Sequence, residues 1–294
     1  MSVFAVELDL SFTWHGHRLV YDAYGPSAGP LVVYLHGLLL DAELNRGIAR
    51  ALAERGYRVA LLDLLGHGRS DKPTHASEYR IDNYADQVIA LLDHLGAHEA
   101  VLGGISLGAN VSLFAATRYP ERVRALVLEM PVLERAVPAA AMVFVPAVFA
   151  AHYGRKVMNV TSGLVRRMPR TRFGPFNSLM NAASLPPDVL AAVLHGVLVG
   201  PVAPTQEQRQ AIWAPSVVLA HRNDLIHPFD DAVSLVERMP NAALVRARSP
   251  LELRFRPQRL TDEIVSFLSG IDREPLGRRS HEISTCANPA GSSP

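Results

Sequence analysis

Ala100-Val101-Leu102-Gly103-Gly104-Ile105-Ser106-Leu107-Gly108-Ala109-Asn110 decides how the rest of this chain is read. The run from Ala100 to Gly103 is short and apolar, as a buried strand is, and Leu107 to Tyr119 has helical spacing stopped by Pro120. Between them stands Gly104-Ile105-Ser106-Leu107-Gly108, a G-x-S-x-G pattern. On its own the pattern occurs by chance, and the competing reading is a glycine-rich turn holding an ordinary serine. Directly between a strand and a helix it has a mechanical meaning. Small residues two before and two after the serine let the two backbones pass closely. The sharp turn then holds the hydroxyl at the carboxyl edge of a sheet, over a helix N-terminus that favours developing negative charge.

Outward from this turn the chain alternates. Leu31 to Leu35 is apolar at every position, as suits a parallel strand covered on both faces, and it runs into His36-Gly37-Leu38. Ala42 to Arg55 reads as a helix ending at Gly56, Tyr57 to Leu62 as a strand ending at Asp63, Ile81 to Leu95 as a helix, and Val123 to Glu129 as a strand. Ahead of these, Phe4 to Leu10 and His17 to Tyr24 form a hairpin pair joined through Trp14, His15 and Gly16. Strand and helix in alternation imply right-handed crossovers and a parallel sheet. From Pro131 to Ile212 helical stretches and prolines replace strands. The rhythm returns with a strand at Ser216 to Ala220, a helix at Asp230 to Met239, a strand at Ala243 to Ala247 and a helix at Arg259 to Leu268. The expected organisation is a core of residues 1–130 and 213–270, a helical insertion at 131–212, and a disordered tail at 271–294 of low complexity.

Composition narrows the function classes. The chain has 294 residues, 49% hydrophobic and 19% charged, enough for a sizeable core. A formal net charge of +1 argues against a dedicated nucleic-acid binder. The single cysteine, Cys286, permits no intrachain disulfide and no cysteine cluster for a metal. The N-terminal MSVFAVELDL carries acids where a signal peptide has a basic region, and the most apolar stretch, Ala136 to Ala151, is broken by Pro138 and Pro146, so no stable membrane insertion and a cytoplasmic location are expected. No nucleotide, flavin or metal motif is present, and Gly66-His67-Gly68 is no phosphate loop, so no cofactor is expected.

Three motifs, His36-Gly37, Asp63-Leu64-Leu65-Gly66-His67-Gly68-Arg69-Ser70-Asp71-Lys72-Pro73 and Gly104-Ile105-Ser106-Leu107-Gly108, resemble in order and spacing the α/β-hydrolase superfamily. Within it they resemble the esterase, peptidase and carbon–carbon hydrolase branch with a helical cap, over roughly residues 1–270. The resemblance implies a mostly parallel eight-stranded sheet with helices on both faces and an inserted helical cap. It implies Ser106 as nucleophile and the backbone N–H groups of Leu38 and Leu107 as oxyanion donors. His36, Asp63 and His67 read as structural residues of their loops. Asp224 matches the position of the family's acid, against a competing reading as a helix N-terminal acid ahead of Pro228, and Glu129 is a second candidate. An aspartate nucleophile of the dehalogenase kind is excluded, because position 106 is serine.

The chain departs from the pattern at the histidine. The family places it after the last strand, about seven residues before a proline that precedes the final helix. In Arg248-Ser249-Pro250-Leu251-Glu252-Leu253-Arg254-Phe255-Arg256-Pro257 that count lands on Pro250, and no histidine lies between His227 and His281. His227, three residues after Asp224, is the leading substitute; His221, closer to the strand, reads as packed, and His152 and His195 belong to the cap. Within 131–212 eight arginines and lysines face three acids, which reads either as a solvated face or as attraction for an anionic substrate or surface. The apolar stretch from Val137 to Ala151 would roof a pocket for a mostly apolar small molecule, with cap core as the plainer alternative. Two functions remain open: a serine-nucleophile hydrolase of an ester, thioester, amide or carbon–carbon bond, or a ligand-binding protein that has lost turnover with its histidine. A lyase or transferase on the same fold is a third.

Overall fold

The computed structural model describes residues 5–222, 224 and 226–273. Its sheet has eight strands: β1 Val6–Trp14, β2 His17–Tyr24, β3 Leu31–Leu35, β4 Arg58–Asp63, β5 Ala100–Ile105, β6 Val123–Glu129, β7 Ser216–Ala220 and β8 Ala242–Arg246. Their order across the sheet is β1-β2-β4-β3-β5-β6-β7-β8. β1 and β2 pair antiparallel, β2 pairs antiparallel with β4, and every later pairing is parallel. His15 and Gly16 both have positive φ, 46° and 84°, which suits the tight two-residue turn between β1 and β2. The mostly parallel sheet expected from the alternation is therefore the observed one.

The central strands are buried on both faces because their side chains alternate between two cores. Leu31, Val33 and Leu35 of β3 point to one side, Val32 and Tyr34 to the other. The first core is closed by α2 Ile81–His94 and α3 Leu107–Arg118 and extends to α9 Phe229–Arg238. The second is closed by α1 Arg46–Ala53 and α11 Gln258–Arg273. The start expected of the first helix, Ala42–Asn45, is instead a 3-10 turn, with the Asp41 carboxylate accepting from the Glu43 N–H. The last helix runs to Arg273, three residues into the expected tail; residues 274–294, with Cys286 and His281, lie outside the described residues.

Between β6 and β7 the chain forms α4 Val137–Tyr153, α5 Arg155–Arg167, α6 Gly174–Ala183, α7 Pro187–Val199 and the short α8 Gln206–Gln210, with no strand among them. This insertion sits over the carboxyl ends of the strands and is tied down by buried and half-buried polar contacts. Asn181 Nδ2 donates to Asp41 Oδ2 at 2.7 Å, Asn177 Nδ2 to Glu43 Oε2 at 3.0 Å, and the Ala136 N–H to Asp231 Oδ2 at 3.1 Å. Asn110, one turn into α3, reaches both ends of the insertion: its Nδ2 donates to Val132 O and Val202 O, each at 2.7 Å, and its Oδ1 accepts from the Val132 N–H. The apolar stretch that contains Pro138 and Pro146 is a continuous helix, α4, with Pro146 in its interior. Among the described residues no single helix is long and apolar enough to cross a membrane.

Candidate active site

The serine at the end of β5 occupies a strained bend. Ser106 has φ 54° and ψ −110°, a conformation that non-glycine residues rarely adopt and that costs on the order of 1–3 kcal/mol. Its neighbours explain why the bend forms. A Cβ on Gly104 would lie 2.6 Å from the Leu35 carbonyl oxygen, and one on Gly108 would lie 2.7 Å from the Leu35 Cβ, so β3, β5 and α3 approach as closely as they do only with glycine at both places. The Ser106 N–H donates to Glu129 O of β6 at 2.8 Å, and the Asn110 N–H to Ser106 O at 3.1 Å. These bonds hold the main chain while the hydroxyl projects above the sheet.

A second loop meets it from beyond β7. The Asp224 carboxylate organises this loop through Oδ1, which accepts from the Ile226 N–H at 2.8 Å and the His227 N–H at 3.1 Å. The other oxygen, Oδ2, lies 2.9 Å from His227 Nδ1 and 3.2 Å from His221 Nε2. The far nitrogen of the same His227 ring, Nε2, lies 2.9 Å from Ser106 Oγ. Burial alone would raise the Asp224 pKa, but the His227 ring and the two N–H donors outweigh it and hold the carboxyl well below the usual range. It is a fixed anion at neutral pH. An Nδ1–H donated to it leaves the Nε2 lone pair for the serine proton. Hydroxyl, imidazole and carboxylate thus stand in line, with His227 only 15% exposed.

The serine and His227 open onto a cavity of about 420 Å³ between the core and the insertion. Its walls are almost wholly apolar: Leu38, Leu40, Ile81 and Leu107 from the core, Val137, Ala140, Ala141, Phe144 and Val145 from α4, and Val197 and Val202 from further along the insertion. Of the stretch expected to roof a pocket, Val137 to Ala151, the part from Val137 to Val145 lines this cavity. Leu38 and Leu107 both line the cavity beside Ser106. The Leu107 N–H opens α3 and so has no preceding helical carbonyl to bond. Leu38 sits in a turn closed by the Leu40 N–H donating to Gly37 O, with Leu39 at φ 64°, a closure that does not use its own N–H.

The remaining candidates lie elsewhere. His36 Nε2 accepts from the Leu64 N–H at 3.1 Å, and Nδ1 donates to Gly37 O at 2.9 Å, so the ring braces its loop. Burial lowers its pKa against the pull of Asp63, and burial also lowers that of His67, whose Nδ1 bonds Leu65 O. Asp63 accepts from the Ala42 N–H and from Arg69. His152 is exposed beside Tyr153, and His195 faces a different cavity with Thr74 and Asp188. His221 is packed, 4% exposed, and shares Asp224 with His227. Glu129, the alternative acid, is committed elsewhere: Arg254 Nη1 and Nη2 donate to its two oxygens at 3.1 and 2.8 Å, and the Tyr34 hydroxyl donates at 2.8 Å. Sequence reasoning missed this trio. Arg254 comes from the short α10 Glu252–Phe255, inside the window where the resemblance seeks a histidine, and its partner lies 125 positions away. Nothing in the local sequence announces that pairing.

Comparison with known proteins agrees with this architecture. A family model described as alpha/beta hydrolase fold matches residues 30–155, which carry β3 through the serine turn and on into the insertion.

This chain has the α/β-hydrolase fold.

Among solved structures of that fold, the enol-lactonase from Burkholderia xenovorans superposes with a TM-score of 0.71 at 20% identity, covering 88% of this chain and 100% of that one. A hydrolase from Pseudomonas aeruginosa gives 0.69 at 22% identity over 90% and 98%. Among curated proteins, a haloalkane dehalogenase from Mycolicibacterium paratuberculosis is 34% identical over 126 residues, 42% of each chain. A 2-(acetamidomethylene)succinate hydrolase from Mesorhizobium japonicum is 34% identical over 110 residues, 37% of this chain and 38% of that one. This chain thus spans about two fifths of the length of these curated relatives.

Proposed function

We propose that this chain is a serine hydrolase that cleaves an ester, thioester, amide or carbon–carbon bond next to a carbonyl in a mostly apolar small molecule. The observation that carries the reading is the approach of His227 Nε2 to Ser106 Oγ at 2.9 Å with Asp224 behind the ring. In this mechanism His227 takes the hydroxyl proton as Ser106 Oγ bonds the carbonyl carbon. The Leu38 and Leu107 N–H groups receive the negative charge that develops on the carbonyl oxygen, aided by the N-terminus of α3. Asp224 fixes the ring's tautomer and stabilises the imidazolium. As the tetrahedral intermediate collapses, His227 returns the proton to the leaving group. Water then repeats the sequence on the acyl-enzyme and frees the serine.

The apolar cavity supports an apolar acyl or ring portion, because among the described residues no arginine or lysine lines it to hold an anionic one. Resemblance to a dehalogenase does not bring dehalogenation with it, since the nucleophile there would be an aspartate and position 106 is a serine. The presence of an imidazole within reach of the hydroxyl favours turnover over the ligand-binding alternative. The test pairs a fluorophosphonate probe with short-chain p-nitrophenyl esters. Labelling that maps to Ser106 and turnover lost in Ser106→Ala are expected. A wild-type protein that stays unlabelled while a control esterase reacts, yet melts higher with apolar ligands, would instead be a binder.

A further inference from the structure

The outer face of the cap is apolar and carries no negative charge over a long stretch. In a helix packed on a protein in water, polar side chains face outward. Here α5 also leaves apolar side chains outside: Val157, Val160 and Leu164 face solvent, while Met158 packs inward beside the buried Ser162. The stripe continues backward onto α4, where Met142, Phe149 and Tyr153 are exposed at helical spacing, and Phe149 and Tyr153 stack with ring centroids 6.1 Å apart. Tyr153 and Met142 are each 79% exposed and Val160 72%. A bend of 102° joins the two helices, so the stripe lies along both arms of one elbow.

The charge on this face has one sign. Residues 136–187 contain six arginines and lysines and no aspartate or glutamate. Arg155 pairs with Asp188, just beyond that stretch. Among the described residues, Lys156, Arg166, Arg167, Arg170 and Arg172 form no ion pair. Two copies of this chain meeting face to face would bring like charges together. A nucleic acid would neutralise the cations and leave the apolar stripe in water. A surface that is both apolar in depth and anionic at its boundary meets both halves of the face.

We propose that the α4–α5 face of the cap is a docking surface for an anionic lipid bilayer, on which the protein adsorbs without spanning it. The apolar stripe enters the headgroup–acyl boundary, and the cations stay at the level of the phosphates. Because α4 exposes Met142 and Phe149 on one side and lines the Ser106 cavity with Ala141 and Phe144 on the other, adsorption sets the cavity directly beneath the lipid surface. The proposal concerns binding alone and stands or falls apart from any reaction at Ser106.

The test is vesicle flotation of the full-length protein with phosphatidylcholine, or with phosphatidylcholine and phosphatidylglycerol at about three to one, at low and high salt. Partitioning at least about tenfold stronger on the anionic vesicles, and weakened by salt, is expected. It is expected unchanged in Ser106→Ala, and lost in Val157→Asp/Leu164→Asp and in Lys156→Ser/Arg167→Ser/Arg170→Ser at unaltered melting temperature. Should either set fail to fold, Tyr153→Trp supplies an independent readout. Fluorescence quenched by brominated lipid beyond that of wild type supports the proposal, and unquenched fluorescence overturns it. Wild type that ignores anionic vesicles overturns it, as does binding that both variant sets retain. Dimers in sedimentation velocity that Val157→Asp disperses, without vesicle binding, would assign the face to a second copy.

Discussion

His227 Nε2 and Ser106 Oγ lie 2.9 Å apart across 121 positions of sequence, while the carboxylate behind the ring, Asp224, is only three positions from it. Asp224 and His227 therefore share one loop after β7. The Asp224 Oδ1 bonds to the Ile226 and His227 N–H groups fold that loop so that the ring turns back over its own acid and forward to the serine. The segment after β8, where the resemblance seeks the histidine, instead sends Arg254 to Glu129.

The serine and histidine are expected to act as one unit. His227→Ala and Ser106→Ala should each lower kcat by about 10⁴–10⁶-fold, and the double variant should be no worse than either alone. Steady-state kinetics on the three proteins, with fluorophosphonate labelling of His227→Ala, checks this; losses that multiply would place the base on another residue.

Asp224→Asn should lower kcat by about 10²–10⁴-fold with little change in KM, because the tautomer and the imidazolium lose their anchor and the cavity walls do not change. The same variant has a stability signature. A folded-state pKa held below the unfolded value means that the carboxylate stabilises the fold above about pH 4 and that this contribution disappears as pH falls through the folded value. Urea titrations should show wild type ahead of Asp224→Asn at neutral pH, with the gap closing in acid.

Glu129 is expected to matter for stability and not as the acid behind the base. Arg254→Met leaves its carboxylate buried without a cation and should cost about 3–5 kcal/mol; adding Glu129→Gln should restore part of it. Denaturant unfolding measures both. Glu129→Gln alone should keep most of kcat, and a loss as large as that of Asp224→Asn would reverse the assignment of the acid.

Asn110→Ala should loosen the roof. It frees Val132 N and O, buried groups that cost about 1–3 kcal/mol each when left unpaired, and the half-buried Val202 O. A lower melting temperature and a raised KM, with labelling of Ser106 retained, are expected from calorimetry and kinetics.

The sheet was legible because local physics writes it. Leu31–Leu35, Val123–Glu129 and Ser216–Ala220 are apolar at nearly every position and are strands with the limits their composition suggests. The serine turn was legible for the same reason, since Gly104 and Gly108 are demanded by contacts within one strand–turn–helix unit and its immediate neighbour β3. The last helix runs past Leu268 to Arg273, with Ile271 continuing the apolar face that Leu260, Ile264 and Leu268 pack on the second core.

From the amino-acid order alone come the alternating architecture, the serine's perch and the short list of histidines. Which histidine reaches that serine, and which acid is free to hold it, was decided only by the folded chain. Periodicity and turn chemistry act over a few residues and leave a trace in the sequence. The meeting of His227 with Ser106, and of Arg254 with Glu129, depends on how loops from distant strands converge at one edge of the sheet, and no local pattern records that.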